Sequence, residues 1–286
     1  MNEDAPGEKT PSQPGAFGPF STPSPRTSDV GVRIALPTVP DHELLRCIGR
    51  GSYGEVWLAR NVMGTYRAVK VVYRTTFDHD RPFEREFEGI QKFEPISRMH
   101  ESQVDILHVG RNEKDGYFYY VMELADDAGR EATTQRTETP LTFHPLPSSD
   151  EGRGQGEGSR SQRATVKPQP ALNPACYVPK TIRSESRQRG RLPLNECLRI
   201  SLSLTTALEH LHKHGLIHRD IKPSNIIFVD DVPKLADLGM VASVDATLSF
   251  VGTEGFLPPE GPGTPQADIY SLGKVLYEVK IGRAHV

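Results

Sequence analysis

The chain has little cysteine: three residues in 286, Cys47, Cys176 and Cys197, with no Cys-x-x-Cys pair. An odd, scattered set excludes a disulfide framework and a zinc ribbon, and suits a reducing compartment. Its ten histidines also lack metal-ligand spacing, and His210, His212 and His214 alternate near a helix end, as on a solvated face. No run approaches the ~18 apolar residues of a membrane-spanning helix. No apolar segment follows basic residues at the N-terminus, which argues against a secretory signal. A net charge of −3 recruits neither nucleic acid nor an anionic membrane surface.

Proline and glycine, by contrast, are plentiful, at 24 and 25 residues. Residues 1–40 hold eight prolines among Ser, Thr and Gly without apolar periodicity, a composition that cannot bury enough surface to offset chain entropy. Residues 126–173, which include Glu151-Gly-Arg-Gly-Gln-Gly-Glu-Gly158, read the same way. They interrupt folded sequence, so they form a disordered insertion rather than a linker between domains.

Between these stretches lie strand-like runs at Glu43–Ile48, Glu55–Arg60 and Tyr66–Val72. Phe83, Phe87 and Ile90 then follow helical spacing, with Asp80 and Pro82 to start the helix and Pro95 to stop it. Strands near Ile106–Val109 and Tyr117–Leu124 flank the turn Asn112-Glu-Lys-Asp-Gly116. After the insertion, Leu194, Leu198, Leu202, Thr205, Leu208 and Leu211 trace one stripe of a long helix that ends at Gly215. A β-rich half therefore precedes a helical half, an α+β chain.

Gly49-Arg-Gly51-Ser-Tyr-Gly54-Glu-Val56 is a weak signal alone. A dinucleotide-binding loop needs a helix next. Here an alternating, strand-like run follows, which makes a flap over nucleotide phosphates, with glycine letting backbone approach phosphate oxygens. Lys70 on the next strand is either an edge residue with its ammonium in water or a ligand of the α- and β-phosphates. The second role needs a carboxylate from the following helix. Glu86 fits best, Glu88 is second, and Glu84 is also available.

His218-Arg-Asp-Ile-Lys-Pro-Ser-Asn225 is the strongest signal. Phosphoryl transfer demands positioning more than covalent chemistry. Asp220 suits the attacking hydroxyl, Lys222 the transferring γ-phosphoryl, and Asn225 a magnesium ion. Asp237, in Asp237-Leu-Gly239, is spaced to bridge Mg²⁺ to the β- and γ-phosphates, although an aspartate after a strand also caps turns.

On these motifs the chain resembles the protein kinase family, specifically the eukaryotic-like Ser/Thr kinases of bacteria, over roughly 41–280 outside the insertion. The resemblance implies a bilobal fold, with an N-lobe over 41–125, a partial C-lobe over 174–280, ATP between them and Mg²⁺ as cofactor. It implies Met122 as gatekeeper, backbone of Glu123 and Ala125 on adenine, and Val56, Ala68 and Ile227 sandwiching the ring. Lys222 marks Ser/Thr specificity, so the expected partners are protein substrates. Thr253, in Gly252-Thr-Glu-Gly-Phe-Leu-Pro-Pro-Glu260, would bridge Asp220 and Lys222. Asp268 would anchor the catalytic loop. Arg219 would meet a phosphate on Ser249 or, second, Thr247, the alternative being an unmodified loop serine. Leu238 replaces the family's usual phenylalanine without loss of Asp237.

In the family several more helices follow, and one supplies an arginine partner for Glu260. The expectation is therefore an incomplete C-lobe that leaves Leu272, Val275, Leu276 and Val279 uncovered, and a 286-residue polypeptide that aggregates and transfers phosphate weakly or not at all. Ile281-Gly-Arg-Ala-His-Val286 matches the translation of a common sequencing-library adapter, so residues 281–286 are expected to be adapter read-through. The kinase domain is expected in the cytoplasm, with any membrane anchor lying beyond it, as in many bacterial relatives. The competing readings are a pseudokinase-type ATP-binding module, disfavoured by the intact Lys70, Asp220, Asn225 and Asp237, and a small-molecule kinase, disfavoured by Lys222 and the 252–260 segment.

Overall fold

The computed structural model describes residues 36–51, 54–129, 172–237, 242–243, 255–261 and 263–282. The upper half is a five-stranded antiparallel sheet of β1 (His42–Gly51), β2 (Gly54–Asn61), β3 (Tyr66–Tyr73), β4 (Ile106–Asn112) and β5 (Tyr117–Met122), in the order β1-β2-β3-β5-β4. Side chains alternate across a strand, which decides what β3 and β5 present to each face. Val69, Val71, Tyr117, Tyr119 and Val121 pack on the outer face with Val39 and Ala59. Ala68, Val72, Phe118, Tyr120 and Met122 face inward against helix α1 (Asp80–Ser97). Lys70 shares that inner face by the same period, and the register sets it opposite both Val56 and Tyr120.

Helix α1 buries Phe83, Glu86, Ile90 and Phe93, so Glu86 lies in the apolar stripe itself. Pro95 does not stop this helix, which runs on to Ser97. In the last turn proline removes only one amide donor, and Pro95 is exposed, so water reaches the carbonyl it leaves behind.

The chain enters the lower half through residues 123–129 and resumes at 172–181. The two arms are bonded to each other: Ala128 N–H donates to the Val178 carbonyl at 2.8 Å, and Lys180 N–H to the Asp126 carbonyl at 2.7 Å. The chain thus returns where it left. Below them lie α2 (Ile182–Arg189), α3 (Leu194–Lys213), the short β6 (Leu216–Ile217), the hairpin β7 (Ile226–Val229) and β8 (Val232–Leu235), then β9 (Ala242–Ser243), which pairs with β6, and α4 (Pro265–Ile281). Asp230 and Asp231 make the hairpin turn at φ 51° and 61°, and the Asp126 carboxylate accepts both of their amides at 3.0 and 2.9 Å. Positive φ at both central positions is what the type I′ turn of a two-residue hairpin requires.

Three further sequence expectations fail. The buried face of α3 is Cys197, Ile200, Leu204, Ala207, Leu208 and Leu211, whereas Leu194, Leu198 and Leu202 are exposed. Steps of four residues drift around a helix of 3.6 per turn, so the leucine row leaves the seam that the other set keeps. On α4, Leu272, Val275 and Val279 are not uncovered. They are buried against α3 and the β7–β8 hairpin, with Leu276 packed at the margin. The apolar residues α4 does expose are Ile269, Tyr270, Tyr277 and Ile281. Nor do the three histidines form one solvated face: His212 is held by Asp268 at 2.8 Å, and the His210 ring packs between His100 and His214.

Candidate active site

Between the halves lies a cavity of about 590 Å³. Its roof is Gly49, Gly51, Gly54 and Val56 from β1 and β2, its back wall Ala68 and Lys70, and its rear edge Met122, Glu123 and Ala125. Its floor is Asp220, Lys222, Asn225, Ile227 and Asp237. Residues up to 189 positions apart in the chain, Ile48 and Asp237, thus line one space. Glu86 stands behind Lys70 and does not line the cavity.

The back wall is an electrostatic cluster. Lys70 Nζ donates to Asp237 Oδ1 at 2.5 Å and lies 3.8 Å from Glu86 Oε1. Burial disfavours its ammonium form, but Asp237, Tyr120 and Glu86 outweigh that and hold its pKa well above the ordinary lysine value. Asp237 is lowered because Lys70 outweighs its own burial. Glu86, farther from the ammonium, is governed by burial and pushed up to about 8. The other two helix carboxylates go elsewhere: Glu84 takes two bonds from Arg111, at 2.6 and 2.7 Å, and Glu88 is exposed.

On the floor, Lys222 Nζ donates to Asp220 Oδ2 at 2.6 Å. Asn225 Nδ2 donates to both the carbonyl and Oδ2 of Asp220, each at 2.9 Å. One loop thus presents a carboxylate, an ammonium and an amide in fixed mutual geometry. Asp268 holds the loop from below. Its carboxylate is 1% exposed and accepts the amides of His218 and Arg219, both at 2.9 Å. That anchor matters because Arg219 stands at φ 68°, a conformation unfavourable for a residue with a Cβ. The Arg219 guanidinium is buried, with Nε and Nη2 unpartnered among the described residues. Burial, with repulsion from Arg85, puts its pKa below the ordinary arginine value.

Some site residues escaped the sequence. Tyr120 lies beneath Lys70, with the ammonium 5.9 Å from its ring centre and its hydroxyl buried. Tyr177 is buried on the cavity wall and donates its hydroxyl to the Ala125 carbonyl at 3.0 Å. Lys234 clamps the Glu123 carboxylate at 2.7 Å. Only the alternation of β5 hinted at Tyr120; the others act across long chain separations. Gly54 also has a structural reason of its own, since an added Cβ would lie 2.1 Å from the Val71 carbonyl oxygen. Ser249, Thr247, Thr253 and Leu238 lie outside the described residues. Glu260 is described, exposed and without an ion pair among the described residues.

A family described as the protein kinase domain matches residues 176–285. A probable serine/threonine-protein kinase of Clostridium perfringens is 38% identical over 113 residues, 36% of this chain and 16% of that protein. Over this stretch the chain is similar to the eukaryotic-like Ser/Thr protein kinases. Two further similar proteins are the serine/threonine-protein kinase PknL of Mycobacterium tuberculosis, 37% identical over 36% of this chain and 28% of its own, and a probable serine/threonine-protein kinase PknB of Bifidobacterium longum, 36% identical over 36% and 17%. The chain thus covers less than a third of each of these kinases. The kinase-domain match begins at Cys176, so the sheet and Lys70 lie outside it and join the site through the fold alone.

Proposed function

We propose that this chain carries the ATP site and catalytic loop of an enzyme that transfers the γ-phosphoryl group of ATP to Ser or Thr hydroxyls of proteins. The observation that carries this reading is the convergence of Lys70, Asp220, Lys222, Asn225 and Asp237 on one cleft. In the proposed reaction, Asp220 accepts the hydrogen bond of the substrate hydroxyl and takes its proton as the oxygen–phosphorus bond forms. ADP leaves as the β–γ bridge breaks. Lys222, already on Asp220, lies where negative charge gathers on the transferring group. Lys70, backed by Glu86, serves the α- and β-phosphates.

At the rear edge, Glu123 gives its amide to the Asp105 carbonyl, and Ala125 receives Tyr177 on its own carbonyl. That favours the Glu123 carbonyl and the Ala125 amide as the adenine-facing pair. Val56, Ala68 and Ile227 supply apolar faces for the ring, and Met122 sits at the rear as gatekeeper.

Magnesium fits the donor set. Asn225 commits its Nδ2 to Asp220, and Asp237 commits Oδ1 to Lys70, so each has a second, oxygen-bearing edge for a hard cation. Among the described residues no three His, Cys, Asp or Glu side chains are grouped to hold a metal ion. A cation completed by phosphates and water suits that arrangement better than a protein cage. Bound there, the ion would neutralise charge on the β- and γ-phosphates.

Arg219, buried with free donors beside Arg85, supports a regulatory phosphate on the 242–254 segment, with Ser249 or Thr247 as acceptor. The test of the activity is Mg-ATP-dependent transfer to a generic protein substrate by the intact protein, with Asp220→Asn as control. The substitution is expected to lower kcat by about 10²–10⁴-fold. Transfer unaffected by it would sink the assignment.

A further inference from the structure

A second cavity, of about 450 Å³, opens beside the first. Lys222 and Ser224 line both, so whatever occupies the second lies next to the catalytic loop. Its far wall is basic. Arg183 and Arg187 stand one turn apart on α2, and Gly190, at φ 73°, turns the chain so that Arg191 extends the row. Residues at i and i+4 share a helix face.

The row is fixed to the loop it flanks. Thr181 and Ser184 close a capping box at the start of α2. The Arg183 amide donates to the Pro223 carbonyl at 2.9 Å, and the Leu192 amide to the Val279 carbonyl at 3.0 Å. Arg183, Arg187 and Arg191 are exposed, and no carboxylate pairs with them among the described residues. Arg189, outside the groove, is by contrast locked to Glu185 and Glu196 at 2.9 and 2.7 Å. Glu278 is the one carboxylate on the described walls, against those three arginines; Lys222, which also lines the groove, is paired with Asp220 at 2.6 Å. Ser186 adds a buried hydroxyl with no partner. This concentration of positive charge runs against the chain's net charge of −3.

We propose that the groove receives acidic groups of the protein substrate, carboxylates or phosphates that flank the acceptor Ser or Thr. The proposal rests on the phosphotransfer reading and names its substrate class. Arginine forks match both anions bidentately. At ~1.5 Å per helical residue, Arg183 and Arg187 are about 6 Å apart along the axis. An extended peptide advances ~3.3 Å per residue. The two helical arginines therefore span about two substrate positions.

The test uses the intact protein and fluorescein-labelled Ser peptides whose flanks carry Asp, phosphoserine, Ala or Lys on either side of the acceptor. Anisotropy reads binding and Mg-ATP transfer reads kcat and KM. The expected result is a preference of about tenfold or more for acidic over Ala flanks, expressed in KM, with Lys flanks worse than Ala. The combined Arg183→Ala, Arg187→Ala and Arg191→Ala variant should lose that preference and still phosphorylate the Ala-flanked peptide at the original rate. Phosphoserine ahead of Asp assigns the groove to primed substrates, and Asp equal or ahead assigns it to carboxylates. Acidic flanks no better than Ala, or a preference that survives the triple substitution, overturns the proposal. Charge-dependent binding with no transfer to any peptide would keep the groove and refute the activity instead.

Discussion

Replacing Asp268 with asparagine tests whether the catalytic loop depends on a carboxylate beneath it. Asp268 Oδ2 receives the His218 amide at 2.9 Å and stands 2.8 Å from His212 Nε2, while Oδ1 receives the Arg219 amide at 2.9 Å. Asparagine keeps the shape but has one oxygen, so its NH₂ must face at least one of these donors. If the oxygen stays on the His218 side, the Arg219 amide is orphaned at the residue with φ 68°. Bonds to a buried charge are worth about 1.5–3 kcal/mol, and an orphaned buried donor costs about 1–3. We expect a loss of about 3 kcal/mol out of the roughly 5–15 typical of a folded domain. With a urea slope of ~1–3 kcal/mol/M, the midpoint falls by ~1–3 M. A loosened loop also misplaces Asp220, so kcat should fall by about 10–100-fold with the KM for ATP little changed. His212→Ala, which spares both backbone bonds, should cost only ~1 kcal/mol. A midpoint for Asp268→Asn within ~0.3 M of the parent, or an equal loss in His212→Ala, would refute the reasoning.

Two other substitutions probe the sheet side of the cleft. Glu86, raised by burial to about 8 from an ordinary value of 4.5, keeps its proton longer folded than unfolded. Stability should therefore fall as pH rises through the window from 4.5 to 8, by at most ~1.4 kcal/mol per unit, and level off above it. Glu86→Gln should flatten that slope in urea titrations at several pH values, and an unchanged slope would contradict the burial argument. Gly54→Ala drives a Cβ to 2.1 Å from the Val71 carbonyl oxygen, whereas at Gly51 the nearest atom is 4.0 Å away. Overpacking should cost Gly54→Ala about 1–3 kcal/mol, a drop in Tm of several degrees, and Gly51→Ala almost nothing; equal Tm values would remove the distinction.

What could be read in the sequence was what lies close together in it. Asp220, Lys222 and Asn225 fall within six positions, and their spacing alone declares a loop with three polar tasks. Glu86 could be preferred over Glu84 and Glu88 from the helical period, but only the fold shows Glu84 taken by Arg111. Long helices with apolar residues on more than one side were misread. On α3 the neighbouring element chooses which stripe is buried, and the neighbour is not written in the helix; on α4 the apolar face of Leu272, Val275, Leu276 and Val279 is legible, but its cover by α3 and the β7–β8 hairpin is not. Helix α2 was missed because Ile182 is its one apolar residue, so no period appears and only the Thr181–Ser184 cap marks it. Tyr177, Lys234 and Asp126 reach the site or its frame across 52 to 111 positions, beyond any local pattern.

The cleft's own charges set the terms on which a triphosphate can enter. Its walls carry Arg50, Lys70 and Lys222 against Glu123, Asp220 and Asp237, a balance of zero. Each cation is already partnered: Arg50 with Glu55 at 3.3 Å, Lys70 with Asp237 at 2.5 Å and Lys222 with Asp220 at 2.6 Å. A phosphate oxygen about 4 Å from the Asp237 carboxylate meets a repulsion of roughly 4 kcal/mol at the effective dielectric of such sites, about a thousandfold in Kd. A divalent cation between them turns that repulsion into attraction. A fluorescent ATP analogue should therefore bind about 10²–10³-fold more weakly in EDTA than in magnesium. Asp237→Asn should narrow the gap by raising affinity in EDTA while lowering it in magnesium. Equal affinity in both buffers would place the phosphates out of reach of Asp237, and the pairing of Asp237 with Lys70 would then be a structural bond rather than one that nucleotide must open.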